Sequence, residues 1–315
     1  MPRRRSRGGS KLGGVVLFLL GLLVGAGVLL LFRHPSAPPE ISAPSAAAVR
    51  PPRSERHAER RREIVPSEHV EPETTQAAVK TVPEPVASGP VHGVRIALVI
   101  DDLGHDVEDL RPLEALGVPV TYSVLPFEPQ TPQVVAELRR RRAEILLHLP
   151  MEPKNGENPG PGALRQGMSD GELKQRTEAA LAAVPGAVGV NNHMGSLLSS
   201  ETGPMTTVLE VLAARGLFFL DSRTSADSVG YKVAIGMGVP AAERQVFLDG
   251  EATPEAIHQQ FQRLLDVARG KGSAIAIGHP HPETLAALTR EVPKARAAGY
   301  EFVPVSYLLT RSGGE

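Results

Sequence analysis

The pattern of apolar and polar residues divides the chain into three blocks, and each predicts a different kind of structure. Leu12–Phe32 carries no charged residue and has the length of ~20 residues that a spanning helix needs. From His34 to about residue 92, large apolar side chains are sparse and Pro, Ala, Glu, Arg and Ser dominate. Such a segment cannot bury enough surface to offset its ordering entropy, and it reads as an extended or disordered tether. From Val94 onward, short apolar runs alternate with amphipathic stretches. The runs Ile96–Ile100, Val118–Leu125, Glu144–Leu149, Ala187–Val190, Leu217–Leu220, Gln245–Leu248, Ala274–Gly278 and Glu301–Pro304 read as strands. Helical patterns lie between most of them. Thr131–Arg142 carries Val134, Val135 and Leu138 on one side, and Ser169–Val184 opens with the capping-box residues Ser-Asp-Gly-Glu. Met205–Ala214, Pro254–Arg269 and Pro282–Ala298 complete the set, with Thr253 before Pro254 as an N-cap followed by a first-turn proline. This alternation predicts a parallel α/β domain, either a barrel or a doubly wound sheet. The Gly- and Pro-rich stretch 153–167 predicts a long loop.

The charge pattern sets an expected orientation. Arg3, Arg4, Arg5, Arg7 and Lys11 precede the apolar block, and a basic flank stays in the cytoplasm. The apolar block runs straight into Arg33-His34-Pro35, which reads as an uncleaved anchor rather than a signal peptide. The expected organisation is a basic cytoplasmic tail (1–11), a transmembrane anchor (12–32), a Pro/Ala/Arg-rich disordered linker (33–92) and a folded domain (93–315) on the periplasmic or extracellular side of the inner or cytoplasmic membrane. With 34 basic and 35 acidic residues, the composition gives no support for nucleic acid as a partner. The absence of Cys excludes thiolate metal sites, disulfides and cysteine nucleophiles, and the absence of Trp weakens any aromatic sugar-binding platform.

Several strand ends carry polar groups that packing does not require. Asp101 and Asp102 follow the apolar run Val94–Ile100, where a buried unpaired carboxylate would be costly. A helix cap with a solvated neighbour would account for the doublet alone. His148 ends an apolar run, Asn191-Asn192-His193 follows Val190, His279-Pro280-His281 follows Gly278, and Asp221-Ser222-Arg223 follows Leu220. Parallel strands would turn His148, His193 and His279 onto one face together with the Asp pair. One carboxylate and two imidazoles suit a divalent ion with open coordination positions. A second carboxylate can then serve as general base on a water, and a further His can protonate a leaving group. No Gly-x-Ser-x-Gly elbow, P-loop or Gly-x-Gly-x-x-Gly after a strand is present, and adjacent carboxylates do not suit a two-carboxylate glycosidase.

The segments Ile-Asp-Asp-Leu-Gly (100–104), Leu-His-Leu-Pro-Met-Glu-Pro (147–153), Asn-Asn-His-Met-Gly-Ser (191–196), Phe-Leu-Asp-Ser-Arg (219–223), Ile-Gly-His-Pro-His (277–281) and the ending 299–309 together resemble the divergent branch of the polysaccharide deacetylase family. The resemblance implies an irregular (β/α) barrel of about seven parallel strands. It also implies zinc-type hydrolysis of acetyl groups on a carbohydrate polymer. By the same resemblance Asp101 is the base, Asp102 a metal ligand and His279 the acid that assists the leaving group. Typical members carry two metal-binding His four residues apart, but here Glu152 stands four residues after His148, so His193 is the expected replacement ligand. The usual Arg-x-Pro and Asp-x-x-Asp-aromatic motifs are absent, and Asp221 and Arg223 are expected to fill part of that role, with Asn192 and His281 orienting ligands or substrate. The altered pattern also fits a catalytically silent carbohydrate-binding or scaffold module of the cell envelope.

Overall fold

The computed structural model describes residues 92–310. The expected tail, anchor and almost all of the linker lie outside the described residues. Among the described residues, no helix is long and apolar enough to cross a membrane.

One parallel sheet contains nine strands: β1 (Arg95–Leu103), β2 (Thr121–Val124), β3 (Glu144–Met151), β4 (Gly189–Met194), β5 (Phe218–Asp221), β6 (Ala241–Glu243), β7 (Val246–Phe247), β8 (Ser273–Gly278) and β9 (Glu301–Phe302). Their order is β6-β5-β4-β3-β2-β1-β8-β7. β9 pairs with β1 at Arg95 and Ile96, below the point where β2 begins to pair at Val99. Only Arg244 and Gln245 separate the end of β6 from the start of β7, which are the two outer members of this order. Three Cα steps span at most about 11 Å. The sheet must therefore curl until its edges nearly meet, but no ladder joins β6 to β7 among the described residues. The expected barrel is thus a curled parallel sheet open along one seam. Its strand number exceeds seven because β6, β7 and β9 are fragments of two or three residues.

The period of two along each strand sorts residues between two cores. Ile96, Leu98 and Ile100 point outward and pack with helix residues such as Val134, Leu138, Leu212, Phe261 and Leu264. These come from helices Thr131–Arg140, Thr202–Arg215 and Pro254–Lys271. Ala97 and Val99 point inward and share the barrel interior with Leu146, Phe218, Leu220, Ile275 and Ile277. The segment 305–310 closes one end of that interior. Val305 packs there, its N–H donates to Thr121 Oγ1 (3.1 Å), and Thr310 pairs antiparallel with Ala241.

Local signals behave as their chemistry demands. Ser169 and Glu172 form a reciprocal capping box, and Thr253 Oγ1 accepts from Ala256 N–H ahead of Pro254. The sequence pattern does not reveal β6 or the short helices Leu110–Glu114 and Gly230–Gly236. Elements of three to seven residues are too short to display a period.

Candidate metal centre

The end of β1 explains how adjacent carboxylates can serve one site. Ile100 pairs with Tyr122 and Leu103 with Val124, so β1 accommodates one extra residue in a bulge. Within it Asp102 takes φ 57°, a left-handed conformation uncommon for any residue but glycine. Asp101 continues the inward parity of Ala97 and Val99, and it is fully buried. The bulge turns Asp102, which simple alternation would send outward, toward the same mouth.

His148 on β3 and His193 on β4 also end inward-facing rows, and both are buried. His148 Nε2 and His193 Nδ1 lie 3.2 and 3.0 Å from Asp102 Oδ1 and 3.2 Å from each other. His279, at the end of β8, places Nε2 3.8 Å from Asp102 Oδ2, and His148 Nε2 is 3.6 Å from Asp101 Oδ2. Burial works against the charge on Asp102, but the adjacent imidazoles of His193, His148 and His279 hold its carboxyl well below the usual range.

The donor set fits a divalent ion. Asp102 Oδ1 is shut off from solvent and receives no well-formed hydrogen bond among the described residues, although two imidazole nitrogens converge on it. Ligand atoms around a tetrahedral ion with bonds of about 2.0–2.2 Å stand roughly 3.3 Å apart. The Asp102–His148–His193 triangle is already close to that size. Asn191 Oδ1 lies 3.0 Å from His148 Nδ1, which places the ring proton there and leaves the Nε2 lone pair turned to the cluster.

Two residues that the sequence reading did not select complete the surroundings. Asn191 is fully buried and donates through Nδ2 to both oxygens of Asp101, at 2.9 and 3.1 Å. The signal was available, because Asn191 and His193 are two apart on β4 and share its inward face. Asp249, buried after β7, accepts from His279 Nδ1 and backbone N–H and from Thr284 Oγ1, at 3.0, 2.7 and 2.7 Å. Burial disfavours its charge, but the hydrogen bonds from His279 and Thr284 keep its carboxyl below the ordinary range.

The remaining expected site residues are not part of the Asp102–His148–His193 triangle. Asn192 belongs to the opposite face of β4, where its Oδ1 accepts Ser222 N–H and its Nδ2 donates to Met194 O. Asp221 accepts from Arg223 N–H, Ser228 Oγ and Tyr231 N–H, so it holds the loop that follows β5. Arg223 donates to the carbonyls of Ser228 and Ala226 in that loop rather than to Asp101. Glu152 accepts Gln166 N–H, so the position four residues after His148 serves the 153–167 loop. His281 stands beside His279, their ring centroids 5.6 Å apart.

A curled parallel sheet with this cluster at the carboxyl ends of its strands is consistent with a deacetylase-type barrel. Residues 98–309 match the family described as divergent polysaccharide deacetylase, and the chain belongs to that family. It is 38% identical over 205 residues to the uncharacterized protein YibQ of Escherichia coli K12, covering 65% of this chain and 64% of that one, just under two thirds of its length. An uncharacterized protein of Haemophilus influenzae is 36% identical over 194 residues, covering 62% of this chain and 69% of that protein. The crystal structure of an uncharacterized protein from Agrobacterium tumefaciens C58 superposes with a TM-score of 0.64 at 30% identity, covering 69% of this chain and 90% of that one.

Proposed function

We propose that this chain is a membrane-anchored, metal-dependent carbohydrate deacetylase that removes N- or O-acetyl groups from an envelope or extracellular polysaccharide. The observation that carries the reading is the triangle of Asp102 Oδ1, His148 Nε2 and His193 Nδ1, with a second buried carboxylate, Asp101, beside it. Two imidazoles with one carboxylate favour zinc over the harder magnesium and calcium ions. A divalent ion held there supplies Lewis-acid polarisation of an acetyl carbonyl and makes a nearby water easier to deprotonate. Asp101 takes the proton of that water as general base, its two oxygens oriented by Asn191 Nδ2. His279 delivers a proton to the departing amine or alkoxide, with Asp249 gripping Nδ1 so that Nε2 faces the site. The uncharged block Leu12–Phe32 behind its basic flank supports an anchor in the cytoplasmic membrane with the barrel on the periplasmic or extracellular side.

The test uses the full-length chain in detergent, loaded with zinc and offered a panel of N- and O-acetylated oligosaccharides, with released acetate measured. Acetate should appear and should fall by about 10²–10⁴-fold in Asp101→Asn. Tightly bound metal should be lost in His148→Ala. Sugar binding without acetate release across the panel would overturn the reading in favour of a silent binding module.

A further inference from the structure

We infer that the mouth of the barrel holds a second, weaker divalent-cation site, formed by Asp249, His279 and His281. The three residues arrive from different directions. Asp249 follows β7, His279 ends β8, and His281 immediately precedes the helix Pro282–Ala297. Each offers one ligand atom, and these atoms all lie within 4.8 Å of one another, as they do in the Asp102–His148–His193 cluster.

His281 is the informative member. Its residue is only partly buried, yet Nε2 is closed off from solvent and has no hydrogen-bond partner among the described residues. Buried polar atoms are rarely left so, because an unmade bond costs about 1–3 kcal/mol. Asp102 Oδ1 in the first cluster shows the same condition. The helix supplies no reason for an imidazole at this position. His281 occupies the N-cap but makes no side-chain capping bond there, and Ser, Asp or Asn would cap better. A cation accepting the Nε2 lone pair would satisfy it, with His279 Nδ1 and Asp249 Oδ1, now 3.0 Å apart, as the other ligands.

Nitrogen-rich donors select a zinc- or cobalt-like ion. Asp249 makes the site the weaker of the two. Its Oδ2 already accepts His279 N–H and Thr284 Oγ1, each at 2.7 Å, so one oxygen remains for a metal. Occupancy would also replace the Asp249–His279 hydrogen bond. The His279 ring would then be held at Nδ1 by the second ion, while its Nε2 faces Asp102.

Cobalt ion alone is the probe. The full-length chain is stripped with chelator and titrated with Co²⁺, bound metal is counted by equilibrium dialysis, and the visible absorption of the bound ion is followed. Wild type should take up one tight equivalent and a second at least about tenfold weaker. His281→Gln should bind one equivalent fewer and keep the tight one, whereas His148→Ala should lose the tight one and keep the weaker. His281→Asn, a good N-cap without the imidazole, should repeat the His281→Gln result with the helix preserved. The inference is overturned if wild type takes up only the equivalent that His148→Ala removes, or if both His281 variants match wild type. Either result leaves the Asp102 centre standing, and loss of the tight equivalent from wild type would instead remove the Asp102 centre.

Discussion

Replacing Asn191 with alanine tests how far the candidate centre depends on one uncharged side chain. Asn191 is fully buried, donates to both oxygens of Asp101 and to Ser222 Oγ, and accepts from Ser123 Oγ and His148 Nδ1. Alanine leaves the Asp101 carboxylate and the His148 Nδ1–H without these partners in the barrel interior. An orphaned buried group costs about 1–3 kcal/mol, and a carboxylate lies at the upper end. Stability of the metal-free protein should therefore fall by roughly 3–5 kcal/mol, measured by urea unfolding of the full-length chain with far-UV circular dichroism. The metal should also bind more weakly, because the acceptor that fixes the His148 tautomer is gone. Losses of this kind are about 10–100-fold, or roughly 1.4–2.7 kcal/mol, read by competition with a chelating indicator. Asn191→Asp separates the two effects. It retains an acceptor for His148 Nδ1 but has no N–H for Asp101, so metal affinity should stay near wild type while the stability loss persists. Wild-type stability and metal affinity in Asn191→Ala would refute the reasoning, as would equal metal loss in both variants.

Two further outcomes follow from the geometry. Arg142, just beyond the helix Thr131–Arg140, holds φ 57°, so Arg142→Gly should relieve backbone strain and raise the urea midpoint by the equivalent of about 1 kcal/mol; an unchanged or lower midpoint would show that no strain is stored there. Asp249 has a folded-state carboxyl pKa below its unfolded value, so its contribution to stability is complete above about pH 4 and is lost as the pH falls through the lower folded value. In chelator, Asp249→Asn should be less stable than wild type at pH 7 and should lose less stability on acidification below about pH 4; parallel pH profiles would contradict this.

The long strands and helices were legible because each carries enough residues to display its period. β1, β3 and β8 announce themselves as apolar runs, and the helices Asp170–Ala183 and Pro254–Lys271 begin at caps visible in the sequence. The fragment β6 is set by pairing rather than by its own pattern, whereas β9 falls within the predicted strand Glu301–Pro304. At the site, strand-end position suggested Asp101, Asp102, His148, His193 and His279, and the fold brings these five together. Choosing between Asn191 and Asn192 required parity on a parallel strand, and the one facing inward is the one His193 identifies. Asp249 follows the predicted strand Gln245–Leu248 just as Asp221 follows Leu220, and only the fold shows that Asp249 meets His279 while Asp221 meets a loop. Asp221 and Arg223 stand at a strand end as site residues do, yet Asp221 binds backbone and hydroxyl groups of the following loop and Arg223 binds loop carbonyls and Glu243, which composition and position do not reveal.

The position of β1 has a consequence for assembly. It is the first strand of the domain to be synthesised, yet it pairs with β8 through Arg95–Ser273 and with β9 through Arg95–Glu301, the latter pair 206 residues apart in sequence. Pairings of such separation form late and slow the folding of parallel sheets. Until the last strands emerge, β1 has an open edge and its Ala97 and Val99 face no finished interior, which is when a chain is most exposed to misassociation. The two carboxylates at its end therefore reach their working geometry only in the final stage of folding, so a chain cut short before residue 273 would carry the Asp101-Asp102 motif without a scaffold to aim it.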